Sequence, residues 1–407
     1  MKKSILQQYA KLIATVGGNV QPGQTVILRT QLDQPDFVTL LVEECYKAGA
    51  RKVTVEWDHQ PLTALHMQYG DEELFSRLET WEKEKLSHQV ETLPVVIYLL
   101  SEDPNGLNHI DLAKYSRVMQ ARKKIIKPFR DQMDNKYQWC IAAVPGKDWA
   151  KLLFPGKSKR QAEDLLWDAI LTASRAKEDP IAAWKAHYDA LAKRCDYLNQ
   201  LHISSLHYTS SNGTDLTVGM IEDALFLGGG ETSLQGIYFN PNIPSEEIFI
   251  TPKRGQAEGI VYSSKPLSYN GALIDNFSLR FENGKVVEVH AEQNEDLLKD
   301  LVAMDEGSAY LGECALIPYD SPIQNTGILF YNTLFDENAS CHLALGEGFS
   351  NCLKDYEKYN LEQYKQKGIN HSIVHEDFMI GTPDLTITAT THDGKTLPIF
   401  ENGNWAF

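Results

Sequence analysis

The residues with the clearest chemical potential lie between Ser372 and Gly381, where His375 and Asp377 stand two positions apart inside an apolar run. On an extended strand successive side chains alternate faces, so His375 and Asp377 point the same way and Glu376 points the other. On a helix the pair would diverge by about 200° and could not converge on one ion. Ile373, Val374, Phe378 and Ile380 favour a strand, and Gly381-Thr382-Pro383 would close it. An imidazole and a carboxylate on one strand face are potential metal ligands. His371 shares that face but lies about 13 Å from His375 at roughly 3.3 Å per residue, too far for both to hold one ion.

Dinuclear hydrolytic centres draw carboxylates and imidazoles from several elements, one carboxylate bridging ions roughly 3.5 to 4 Å apart. Other candidates lie in apolar surroundings. Glu246 and Glu247 sit at the mouth of the stretch Asn242–Ile250, where strand parity lets only one face inward. Glu313 lies among apolar neighbours in Leu311–Pro318, a costly place for an unpaired charge, and His342 is set similarly in Asn338–Gly346. Singly, each has an ordinary reading, since a lone histidine in such a run is usually a hydrogen-bonded core residue and glutamates are usually exposed. Together they bring glutamates, histidines and an aspartate to one half of the chain.

The elements that must position them divide at about residue 180. Residues 1–180 alternate helical patterns with β-rich runs at Thr25–Thr30, Lys52–Trp57, Pro94–Leu100 and Trp139–Val144, and a helix from Asp36 ends at Gly49. This strand–helix alternation predicts an α/β domain with a mainly parallel sheet. No glycine-rich phosphate-binding motif accompanies it. A charged helical stretch from about Lys157 to Leu201 is interrupted by Asp179-Pro180, which reads as a hinge. Residues 181–407 then read as an α+β metal-binding domain, with a hairpin about Asn283-Gly284 and a helix from about Asn294 to Met304.

The 407 residues allow two or three domains, and 43% apolar with 23% charged residues suits a soluble globular protein. The net charge of −16 argues against nucleic-acid or anionic-membrane partners, which require clustered positive charge. The Met1–Ala10 segment has no apolar stretch of signal-peptide length, and no apolar run approaches about 18 residues, so a cytoplasmic location is expected. Six cysteines are scattered without a CxxC pair, which favours buried thiols over disulfides or a thiolate metal site.

Longer motifs carry a resemblance. Pro266–Gly271, Asp305-Glu306-Gly307, Leu311-Gly312-Glu313, Pro318–Ile323 and especially Asn332–His342 resemble the thermophilic aminopeptidase family, over nearly all of 240–407 and more weakly through the first half. The resemblance implies a metal-dependent aminopeptidase that acts on peptides with a free N-terminus, through a metal-activated water at a dinuclear site. It implies two divalent ions, zinc, cobalt or manganese, and a homodimer. Carried over, the ligands are Glu247, Glu313, His342, His375 and Asp377, with Glu313 bridging. The family's interval to the bridging glutamate, reproduced between 247 and 313, selects Glu247 over Glu246.

The chain departs from the family seven residues after His342, where tyrosine is usual and Phe349 stands. A phenol there could donate to a developing oxyanion, an interaction worth roughly 2.7 to 4 kcal/mol in other enzymes. Tyr331, Tyr356 or a metal would have to replace it. The alternative is a weakly active or repurposed relative, such as a metal-dependent esterase or a ligand-binding protein. Glu246 and Glu337 are candidates for recognising the substrate amine or for orienting metal-bound histidines.

Overall fold

The computed structural model describes residues 1–269 and 272–407; Asn270 and Gly271, which end the motif beginning at Pro266, lie outside the described residues. The chain forms two compact units, one of residues 1–186 and 230–245, the other of 187–229 and 246–407.

The first unit is built on a five-stranded sheet whose order is Asn242–Ile243, Trp139–Ala143, Val95–Leu100, Thr25–Gln31 and Lys52–Asp58. All pairings are parallel. The helix Pro35–Lys47 connects the first two strands in sequence; Pro35 opens it, Asp36 and Lys47 complement its dipole, and Phe37, Leu40 and Leu41 are buried. Farther along, the helix Lys159–Ala173 starts on a reciprocal cap between Ser158 and Gln161 and buries Leu166, Trp167 and Ile170. The expected α/β architecture with a parallel sheet is therefore present.

The second unit holds a nine-stranded antiparallel sheet and a five-stranded one. In the larger sheet the expected hairpin joins Ala272–Glu282 to Lys285–Gln293 through Asn283 and Gly284, both at positive φ (51° and 76°) as a tight hairpin turn demands. The smaller sheet runs in the order His375–Met379, His342–Gly346, Leu311–Leu316, Ile248–Ile250 and Leu227–Gly228. Leu206, Tyr208 and Leu216 from the larger sheet join Ile248, Leu316, Leu343 and Phe378 from the smaller one in a single buried apolar cluster.

Two expectations need correction. The boundary drawn between 180 and 181 falls after Ala186, inside a continuous helix Pro180–Gln200, so Pro180 starts a helix and makes no hinge. The stretch Asn242–Ile250 is not one strand. Asn242–Ile243 extends the parallel sheet beside Trp139–Ala143, whereas Ile248–Ile250 pairs antiparallel with Leu311–Leu316. Backbone pairing demands, invisible in an apolar run, divide it between the two units.

Candidate metal centre

Strand parity in the smaller sheet sorts the side chains into two sets. Ile248, Ile250, Cys314, Leu316, Leu343, Leu345 and Phe378 belong to the apolar core. The residues alternating with them, Glu313, His342, His375 and Asp377, share the opposite face. Ala344 lies between Glu313 and Asp377 in the register, and Ala315 lies beside His342. Two methyl groups in the middle of this face leave room between the polar side chains. Glu247 immediately precedes the strand Ile248–Ile250 and meets the same group.

Donor atoms of Glu247, Glu313 and His342 lie within 4.8 Å of one another, and so do those of Glu313, His375 and Asp377. Glu313 belongs to both triads. The His342 Nε2 is 3.7 Å from Glu247 Oε2 and 3.8 Å from Asp377 Oδ1. The His375 Nε2 is 3.1 Å from Glu313 Oε2 and 3.4 Å from Asp377 Oδ1. Each imidazole uses its other nitrogen on a backbone carbonyl: His342 Nδ1 donates to Glu337 O at 2.9 Å, and His375 Nδ1 donates to Glu347 O at 2.7 Å. With the proton so assigned, both Nε2 atoms present lone pairs to the cluster, the arrangement a ligating histidine needs.

The electrostatics fit a cation. Asp377 Oδ1 is buried without a hydrogen-bond partner, and among the described residues neither Glu313 nor Asp377 is paired with a lysine or arginine. Burial lowers the proton affinity of His375, but Asp377 and then Glu313 overcome this and hold it well above the usual imidazole range. Burial, then the charges of Asp377, Glu247 and Glu313, pushes the Glu337 carboxyl well above its ordinary value. Buried carboxylates this close together are costly unless positive charge joins them. Oxygen and imidazole donors without thiolate suit zinc, cobalt or manganese.

The remaining candidates separate. Glu337 is buried beside Asp377, and its carboxylate accepts from Asn338 Nδ2 at 3.2 Å. Glu246 turns to His187 at 3.8 Å, while its backbone N–H donates to Asn338 Oδ1. Phe349 packs on the second histidine, its ring centroid 4.8 Å from that of His375, with Phe249 behind it at 5.2 Å. Tyr331 adopts φ +52° in a turn whose flanking amides, Phe330 N–H and Asn332 N–H, donate to Asp336. Tyr356 packs against Ile221, Leu353 and Ile369. His371 precedes the strand and pairs with Glu347 at 3.0 Å.

Glu347 and Gly312 escaped sequence reasoning. Glu347 orients His375 through its backbone carbonyl, an atom every residue has, so its side-chain type carried no signal. Gly312 forms a bulge between Leu311 and Glu313, and a Cβ there would lie 2.2 Å from the Glu347 carbonyl oxygen. Glycine before the shared glutamate is thus required by the approach of the backbone that positions His375.

The pattern of the thermophilic metalloprotease (M29) family matches residues 2–405. The chain is 42% identical to aminopeptidase AmpS of Bacillus subtilis over 99% of this chain and 98% of the relative. It is 36% identical to aminopeptidase T of Thermus thermophilus over the same shares. The solved structure of wild-type AmpT from Thermus thermophilus superposes with a TM-score of 0.92 at 35% identity, covering 100% of both chains. A dihydroxypyridine dioxygenase from Pseudomonas putida shares the fold alone, at 11% identity and a TM-score of 0.50. Its full-length match to the family pattern, its identity to these relatives and its architecture together establish that the chain belongs to the thermophilic metalloprotease (M29) family.

Proposed function

We propose that Glu247, Glu313, His342, His375 and Asp377 hold two divalent ions with Glu313 shared, and that the protein releases N-terminal residues from peptides. Family membership makes it a metallopeptidase, a hydrolase acting on peptide bonds. The amino-terminal direction is taken from the names of its relatives. The observation that carries the dinuclear reading is the membership of Glu313 in both ligand triads.

Bound divalent ions would supply Lewis acidity to the scissile carbonyl and a water acidic enough to attack near neutral pH. The chain's own residues do the rest. Backbone carbonyls of Glu337 and Glu347 fix the histidine tautomers and ring planes. Glu337 adds a buried carboxyl beside Asp377, suited to holding a proton or a substrate amine. Phe349 supplies an apolar wall against His375 and no hydroxyl, which is the one feature favouring a weakly active or repurposed relative. A homodimer working in the cytoplasm completes the reading; no described helix is long and apolar enough to cross a membrane.

Metal analysis joined to an aminoacyl-nitroanilide assay tests this. The reading expects bound divalent metal and cleavage after supplementation with zinc, cobalt or manganese. Less than one ion per chain and no cleavage with any of the three would overturn it. Full activity in His375→Ala would contradict the ligand assignment.

A further inference from the structure

A cleft of about 340 Å³ in the first unit opens at the carboxyl ends of Thr25–Gln31, Lys52–Asp58 and Val95–Leu100. In parallel sheets this is where ligands bind, beside the point at which the strand order reverses, and here the order reverses at Thr25–Gln31. None of its residues belongs to the metal centre.

Its polar groups are arranged in two poles. Arg29 Nε donates to Glu56 at 3.0 Å and Nη1 donates to the Tyr98 hydroxyl at 3.0 Å, leaving the Nη2 edge without a partner among the described residues. Glu56 is also held by Lys85 at 2.8 Å, so it does not depend on Arg29 for its cation. Two residues farther along the same strand, buried Gln31 reaches Asp58 at 3.4 Å and Glu102 at 3.3 Å. No lysine or arginine pairs with either acid among the described residues. Burial, helped by the Asp58 charge, raises the Glu102 carboxyl above its usual range. The two poles are separated by about 6.6 Å of strand. Thr30 and Trp57 alternate with these residues in the register and belong to the opposite face of the sheet.

We propose that this cleft binds a free α-amino acid, its carboxylate on the open edge of Arg29 and its ammonium between Asp58 and Glu102. A phosphorylated ligand is disfavoured by the two acids and the missing glycine-rich loop. A divalent ion is disfavoured too, because among the described residues these acids form no ligand triad. The volume lies at the small end of ligand pockets. The proposal does not rest on the peptidase reading, and its test uses no turnover.

Equilibrium dialysis of the full-length protein with labelled L-leucine, compared among wild type, Arg29→Met and Asp58→Asn, reads the site directly. Wild type is expected to bind about one leucine more per chain than either variant, a charged partner left unpaired costing at least about tenfold in affinity. L-leucinamide and 4-methylpentanoate, each lacking one charged end, should compete for that extra site at least about tenfold more weakly. Asp58→Asn keeps side-chain shape, so a folding defect in Arg29→Met leaves the comparison intact. Equal leucine stoichiometry in wild type and Asp58→Asn, or leucinamide competing as well as leucine, would overturn the proposal.

Discussion

Replacing Gly312 by alanine should weaken metal binding without altering a single ligand. The new Cβ would lie 2.2 Å from the Glu347 carbonyl oxygen and 2.6 Å from its carbonyl carbon. Ordinary contact requires the carbonyl to retreat by about 1 Å. Its hydrogen bond from His375 Nδ1, now 2.7 Å, would then stretch beyond hydrogen-bonding range. Losing the group that orients a ligating histidine typically costs about 10- to 100-fold in metal affinity, or roughly 1.4 to 2.7 kcal/mol. Overpacking adds about 1 to 3 kcal/mol of lost stability. Chelator competition with cobalt or zinc measures the first effect, and thermal unfolding of the chelated protein measures the second. Gly156→Ala is the control, because nothing lies within 4 Å of a Cβ there and both quantities should stay unchanged. Wild-type metal affinity in Gly312→Ala would refute the reasoning.

Other outcomes follow from the same structure. Phe349→Tyr should raise nitroanilide turnover by about tenfold or more if a hydroxyl beside His375 supplies the missing oxyanion donor; no gain would sink that idea. Burial, reinforced by Asp134, holds the Glu231 carboxyl up at about 7. Because the folded state keeps this proton while the unfolded chain releases it near 4.5, stability falls as pH rises between those values. Glu231→Gln should therefore stabilise the protein at pH 8 by about 2 kcal/mol, discounting for partial solvent access, with the advantage gone below about pH 4.5. A pH-independent effect in urea unfolding would refute that assignment.

Much of the centre was legible because strand parity is a local property. His375 and Asp377 share a face whatever surrounds them, and the alternating residues Leu343, Leu345 and Phe378 show the core side. The four early parallel strands were legible for a related reason, since buried runs separated by amphipathic helices have few other solutions. What stayed hidden depends on contacts between distant segments. The Asn242–Ile250 run gave no sign that its first part joins one sheet and its last part another. The partners of the histidines are backbone carbonyls, which leave no mark on residue type. The choice of Glu247 over Glu246 came from family spacing, because the two acids precede the strand and parity does not govern them; in the structure Glu246 turns to His187.

The central claim is that one glutamate serves two ions. Elemental analysis of the wild-type protein and of Glu313→Gln, each after dialysis against zinc, addresses it directly. The shared ligand predicts about two ions per chain in the wild type and loss of both to below about one in the variant, since each triad loses a charged donor. Retention of two ions by Glu313→Gln, or a single ion in the wild type, would contradict it.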